Sequence, residues 1–224
     1  MAFALVFVAS VAVAEVNWEQ LPGGDPALWS AYDLCDEWTA LAADDFLSED
    51  GVAITAIEWW GKHVLPDCPA PQSFVIRFYT DVPDPNPDDP SDWSRPGDLL
   101  YEEEYWSFTE VSEPEYQGYH YYLALTTPFQ QVADTVYWMS IEAKVCTPGI
   151  GWAWLGCEPA CYWNDEAVWT SENQTPGWYF PDWTPPSVYT NDPYYYMELA
   201  FRLISNSPTP VEDWGWGEIK AQFR

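Results

Sequence analysis

Basic side chains are nearly missing from this chain. In 224 residues, 7 Lys and Arg stand against 36 Asp and Glu, a formal net charge of −29. So negative a surface repels a phosphate backbone, which excludes nucleic acid as a partner. It also opposes adsorption to anionic lipid. Histidine is scarce too: His63 and His120 are the two present. Nucleophilic hydrolysis normally needs a histidine base held by a carboxylate. His63 follows Trp60-Gly61-Lys62 at a strand end, His120 lies in a run of tyrosines, and no G-x-S-x-G elbow occurs. Both histidines read as packed or surface residues, no catalytic residue is assigned, and the chain is expected not to be an enzyme. Glycosidase chemistry needs two carboxylates across a cleft, but among 36 acidic residues some pair always looks suitable, so that test discriminates nothing.

Aromatic residues and proline fill the space that lysine leaves. The 16 Trp, 15 Tyr, 10 Phe and 21 Pro make a strand-and-loop composition. A hydrophobic fraction of 48% supplies a core and excludes disorder. The length suits one domain, or one domain with a tail. The segment Met1–Ala14 is apolar and ends in Ala12-Val13-Ala14 before Glu15, which reads as a signal peptide with an A-x-A cleavage site. It is too short to span a bilayer. The mature chain is therefore expected to be secreted or held at the cell surface, with no membrane span, in a compartment that permits disulfides.

Helical periodicity is nearly absent, whereas period-2 alternation recurs. Val52–Trp60, Ser73–Tyr79, Tyr119–Leu125, Thr135–Ala143 and Tyr194–Ile204 read as strands, with shorter ones at Asp98–Tyr105, Gly151–Leu155 and Ala167–Thr170. In the last long one, Met197, Leu199, Phe201 and Leu203 share a face opposite Glu198 and Arg202. Strands that bury one side each predict an all-β fold, an antiparallel β-sandwich, jelly-roll-like, with long Pro/Asp/Trp-rich loops. Asp81–Asp92 is a Pro/Asp loop unfit for a sheet interior. Residues 15–204 form the expected domain, and 205–224 a linker and short C-terminal tail that begins with Ser205-Asn-Ser-Pro-Thr-Pro210.

Five cysteines, Cys35, Cys68, Cys146, Cys157 and Cys161, predict two disulfides and one leftover thiol. Spacing suggests Cys146 with Cys157 or Cys161, and Cys35 with Cys68. A zinc site is disfavoured, because neither histidine sits at ligand spacing from a cysteine pair.

Several segments occur in a telling order: Ala43-Asp-Asp-Phe46, Ile54–Gly61, Phe78–Pro83, Ser94–Tyr101, Tyr137–Ala143, Trp163–Trp169 and Leu199-Ala-Phe201. Together they resemble a secreted β-sandwich domain of unknown function of planctomycete-type bacteria, over about Trp18 to Ile204. The resemblance implies export and a sandwich fold, and it carries no catalytic residues. The tail around Trp216–Lys220 likewise resembles short C-terminal tails of exported bacterial proteins.

Two ligand classes suit this composition. Calcium takes six to eight oxygens from carboxylates and carbonyls. Asp84, Asp88, Asp89 and Asp92 offer them in one loop, and Asn164, Asp165 and Glu166 offer more between Trp163 and Trp169. Asp44 and Asp45 are adjacent, so on a strand their side chains diverge and one of them points at any ion. Carbohydrate stacks on flat rings while carboxylates and amides take its hydroxyls. Trp60, Trp178, Tyr179 and Trp183 would supply rings, with Asn173 and Asp182 for hydroxyls. The expected function is a non-catalytic exported binding or surface module, for glycan, calcium or another extracellular partner. The alternative is a structural subunit of an extracellular or cell-envelope assembly, a filament or adhesion component. In that case Ala2–Val13 would pair as a strand with a neighbouring copy in self-assembly.

Overall fold

Alternating ring-bearing side chains drive the chain into two sheets that bury their facing rows. The computed structural model describes residues 12–35, 37–64, 69–86, 92–146, 151–157, 161–171, 180–190 and 196–208. Cys68, Asp88, Asp89, Asn173, Trp178 and Tyr179 lie outside the described residues. In chain order the strands are β1 (Ala12–Gln20), β2 (Pro22–Trp29), β3 (Ala31–Asp33), β4 (Trp38–Ser48), β5 (Ile54–His63), β6 (Ser73–Val82) and β7 (Arg95–Tyr105). Then come β8 (Thr109–Glu113), β9 (Gly118–Phe129), β10 (Thr135–Val145), β11 (Trp152–Cys157), β12 (Val168–Ser171), β13 (Phe180–Thr184) and β14 (Phe201–Pro208). One short α-helix, α1 (Pro186–Thr190), and a 3-10 turn over Pro114–Tyr116 appear among the described residues.

One sheet runs β1-β14-β5-β11-β2, with β9 on the other side of β5 and β8 on β9. The second runs β13-β12-β4-β3-β10-β6-β7, and β4 also pairs β10 directly. The protein is thus an all-β sandwich. Its pairings are antiparallel except for β3 on β10, which is parallel. The five long strands expected from alternation correspond to β5, β6, β9, β10 and β14, the last with a changed start. Tyr196–Ala200 is not a regular strand; the ladder begins at Phe201, because the preceding backbone is drawn away toward β4 and β11. The ladder of β1 on β14 joins Ala12 to Pro208, so the paired strands extend past both expected limits of the domain.

Rings fill the space between the sheets. Trp59 stacks on Tyr121 at 5.3 Å and meets Phe74 edge-on at 5.0 Å, while Phe78 stacks on Phe129 at 4.2 Å. Such pairs add attraction beyond the area they bury. Two fully buried indoles keep their N–H groups satisfied, Trp152 Nε1 donating to the Tyr121 hydroxyl and Trp154 Nε1 to the Ala200 carbonyl, whereas Trp59 Nε1 has no acceptor.

The disulfides join Cys35 to Cys146 and Cys157 to Cys161, correcting the pairings suggested by spacing. Topology decides the first one. The parallel ladder sets Asp33 beside Val145, and Leu34 N donates to the Val145 carbonyl, so the next residues of both strands emerge together. Two disulfides fit an oxidising, extracellular setting. No helix among the described residues is long and apolar enough to cross a membrane.

Candidate metal centre

β4 carries an Asp-Asp pair in the middle of an otherwise apolar strand. Asp44 and Asp45 stand opposite Met139 and Trp138 of β10. On the other side of β4, β12 pairs only as far as Ala43. Past that point the sheet position is taken by the turn before β12 and by the segment that leads into β14. Ala167 N donates to the Met197 carbonyl and holds those two pieces together. Leu199 N donates to Asp44 Oδ2 at 2.6 Å, and Asp45 N to Asp44 Oδ1 at 3.0 Å. Asn164 takes a left-handed φ of 52°, a conformation asparagine tolerates. From there its amide donates to Asp45 Oδ2 and to Asp165 Oδ2, each at 2.6 Å.

This arrangement brings Glu198 against the Asp pair. Asp44, Asp45 and Glu198 each offer an oxygen, and the three atoms lie within 4.8 Å of one another. All three residues are fully buried, at 0% exposure. The expectation that Asp44 and Asp45 diverge is corrected: both face the same spot. Glu198, expected on the polar face of its strand, is instead enclosed. Glu166 lies close by, bound to the backbone N–H and hydroxyl of Ser187 in α1.

Three buried carboxylates repel one another and lose their hydration, so they resist ionisation. Burial pushes the Asp44 carboxyl up to about 7 and the Asp45 carboxyl up to about 9, the latter with help from the Asp44 charge. Burial and the Asp44 charge push Glu198 up as well. Burial alone raises Glu166 to about 7, against the pull of its Ser187 bonds. No Lys, Arg or His is among the groups acting on the three clustered acids. Arg77, Lys144 and Arg202 spend their charges elsewhere, on Glu102, Glu142, Glu19 and Glu58.

Three buried oxygens at this centre receive no hydrogen bond: Asp45 Oδ1, Glu198 Oε1 and Gln20 Oε1. Gln20 ends β1, is 1% exposed, and donates its Nε2 to Glu198 Oε2 at 3.3 Å. Its amide oxygen therefore stands beside the carboxylates without a donor of its own. An unmet buried acceptor costs about 1–3 kcal/mol. An all-oxygen donor set, with three carboxylates and a neutral amide, suits a hard cation and not zinc.

The ligands expected from sequence sit elsewhere. Asp84 is half-buried and accepts the Asn86 N–H at 2.7 Å, and Asp92 is half-buried. Neither joins the acidic group of β4, and Asp88 and Asp89 fall outside the described residues. Trp60 is 4% exposed: His120 stacks on its ring at 4.8 Å, Arg202 lies over it at 5.4 Å, and its Nε1 donates to Glu113. Trp183 packs against Tyr79, and its carbonyl accepts from Trp93 Nε1. The Trp60 ring is thus enclosed, whereas Trp183 is half-buried. Asp182 is exposed.

A family model described as a domain of unknown function, DUF7901, matches residues 16–204. The chain belongs to that family. No curated protein and no solved structure shows a match. The DUF7901 span takes in Gln20, Asp44, Asp45 and Glu198, so the whole centre falls inside the family domain.

Proposed function

We propose that this chain is a non-catalytic, exported binding module whose sandwich is closed by a calcium-class cation held by Asp44, Asp45, Glu198 and Gln20. The observation that carries this reading is a fully buried group of three acids whose oxygens lie within 4.8 Å of one another, with no basic partner among the described residues and with buried oxygens left without a hydrogen bond. A divalent ion cancels most of the charge and supplies the missing partner for each oxygen. Calcium fits better than magnesium, because it accepts uneven carboxylate geometry and sheds water readily. The cation would bridge β1, β4 and the run into β14, elements far apart in sequence, so its role is structural. Export is supported by the two disulfides and by the apolar segment ahead of Glu15. A non-catalytic role is supported by the packing of both histidine rings against aromatic side chains, His63 on Tyr119 and His120 on Trp60.

Thermal melts of chelator-treated protein, with and without added calcium, test the centre. At a calcium concentration a hundredfold above Kd, the stabilisation is about 2.7 kcal/mol. For a domain of this size that raises Tm by roughly 5–10 °C. Asp45→Asn removes the shift and melts no lower than wild type in chelator, since it replaces a carboxyl that burial already keeps protonated with a neutral amide of the same shape. No calcium shift in the wild type, with calorimetry showing no binding heat, would remove the cation from the reading.

A further inference from the structure

The chain crosses from β7, the edge of one sheet, to β8, the edge of the other, through Trp106-Ser107-Phe108. Phe108 turns inward and packs on Phe74 at 4.9 Å, which anchors the crossing. Trp106 turns outward. At 68% it is the most exposed large hydrophobic side chain among the described residues, whereas Trp59, Trp138, Trp152 and Trp154 are fully buried. β8 covers the edge of β9 only as far as Tyr122. Beyond that residue a groove of about 580 Å³ opens, bordered by Glu104, Trp106, Ser107, Thr109, Tyr122 and Thr126. Tyr122, Ala124 and Thr126 alternate outward along β9 and form its wall.

We infer that this groove binds a neutral β-linked polysaccharide, with Trp106 and Tyr122 as the platforms for its hexose rings. A pyranose with equatorial hydroxyls presents a flat apolar face of C–H groups and a rim of hydroxyls. An exposed indole receives the face, and neighbouring hydroxyls and carboxylates take the rim. Ser107, Thr109 and Thr126 provide the hydroxyls, and Glu104 the carboxylate. Uronate and sulfated chains are disfavoured, because no basic residue among the described ones borders the groove and the net charge is −29. A peptide strand fits less well. Strand addition needs a continuous ladder of donors and acceptors, but the Thr126 N–H is already given to the Tyr105 hydroxyl and Pro128 has none. The groove is held rigidly by the same neighbourhood, since Tyr101 and Tyr105 both donate to Glu103 Oε2, at 2.7 and 2.8 Å. The inference rests on the chain being a binding module and not on the cation.

Native affinity electrophoresis of the mature chain in gels containing hydroxyethyl cellulose reads this out. Wild type is retarded, Trp106→Ala loses at least tenfold in apparent affinity, and Tyr122→Ala loses less. Trp106 is exposed, so its truncation leaves the near-ultraviolet circular dichroism of the core in place. Asp45→Asn, which disables only the cation centre, runs like wild type and so separates the two readings. Free mobility of wild type in hydroxyethyl cellulose, xylan and galactomannan gels overturns the inference, as does retardation that Trp106→Ala leaves intact. Trp106-dependent self-association in sedimentation without any retardation overturns it too, and makes the groove a contact between copies.

Discussion

Asp44 and Asp45 hold their protons far above the range in which a free aspartate gives them up, because burial disfavours the charge. An unfolded chain releases those protons near pH 4. Between that value and about 7 to 9, the folded chain binds more protons than the unfolded one, so stability falls as pH rises. Below about pH 4 neither state is charged and nothing is lost; above the folded values the whole contribution is gone. Chelated protein is therefore expected to melt progressively lower from pH 5 to pH 9, while calcium-loaded protein declines much less. Scanning calorimetry at fixed ionic strength checks this, and a chelated Tm that climbs over the same interval contradicts it. Part of this site was visible in the sequence. Two aspartates within Ala42–Phe46 are costly in an apolar strand, and that cost was the available signal. Glu198 and Gln20 were not legible, because they reach the centre through pairings between chain ends, and alternation set Glu198 toward solvent.

Among the elements, β5 shows how closely neighbouring strands of one sheet are fitted. Gly61 pairs with Trp154 of β11, and the Trp152 ring lies where a side chain at Gly61 would go. A Cβ there would come within 2.2 Å of the indole, which is fully buried and has no room to retreat. Gly61→Ala is expected to destabilise the fold by about 1–3 kcal/mol, the usual cost of overpacking. A lowered urea midpoint with an unchanged slope is the signature. Strands such as β6, β9 and β10 were readable because one row of each meets the opposite sheet. β4 was not, since Ala40–Phe46 shows no alternation of apolar and polar residues to read. β3 and β8 are too short for a periodic signal.

For the whole molecule, the acidic surplus and the two disulfides both fit an extracellular setting. Cleavage after Ala14 keeps the ladder from Glu15 with Ser205 through Gln20 with Phe201, so β1 and its Gln20 survive processing. Intact mass measurement of protein recovered from a secreting host is expected to give a chain that starts at Glu15. A retained Met1 would instead favour the alternative in which the apolar segment serves as a strand. The sandwich itself followed from composition and alternation, but the cysteine partners did not, because spacing along the chain is blind to a parallel ladder.

The Cys35–Cys146 bond, with a sequence separation of 111, closes a covalent ring that runs from β4 through β10 and so takes strands from both sheets. Stretched between its ends, the oxidised molecule would transmit force across that bridge and leave the enclosed part slack. At about 3.4 Å per residue, roughly 380 Å of contour stays hidden from the pull. Reduction would release that length in full, so under tension the bridge acts as a mechanical stop.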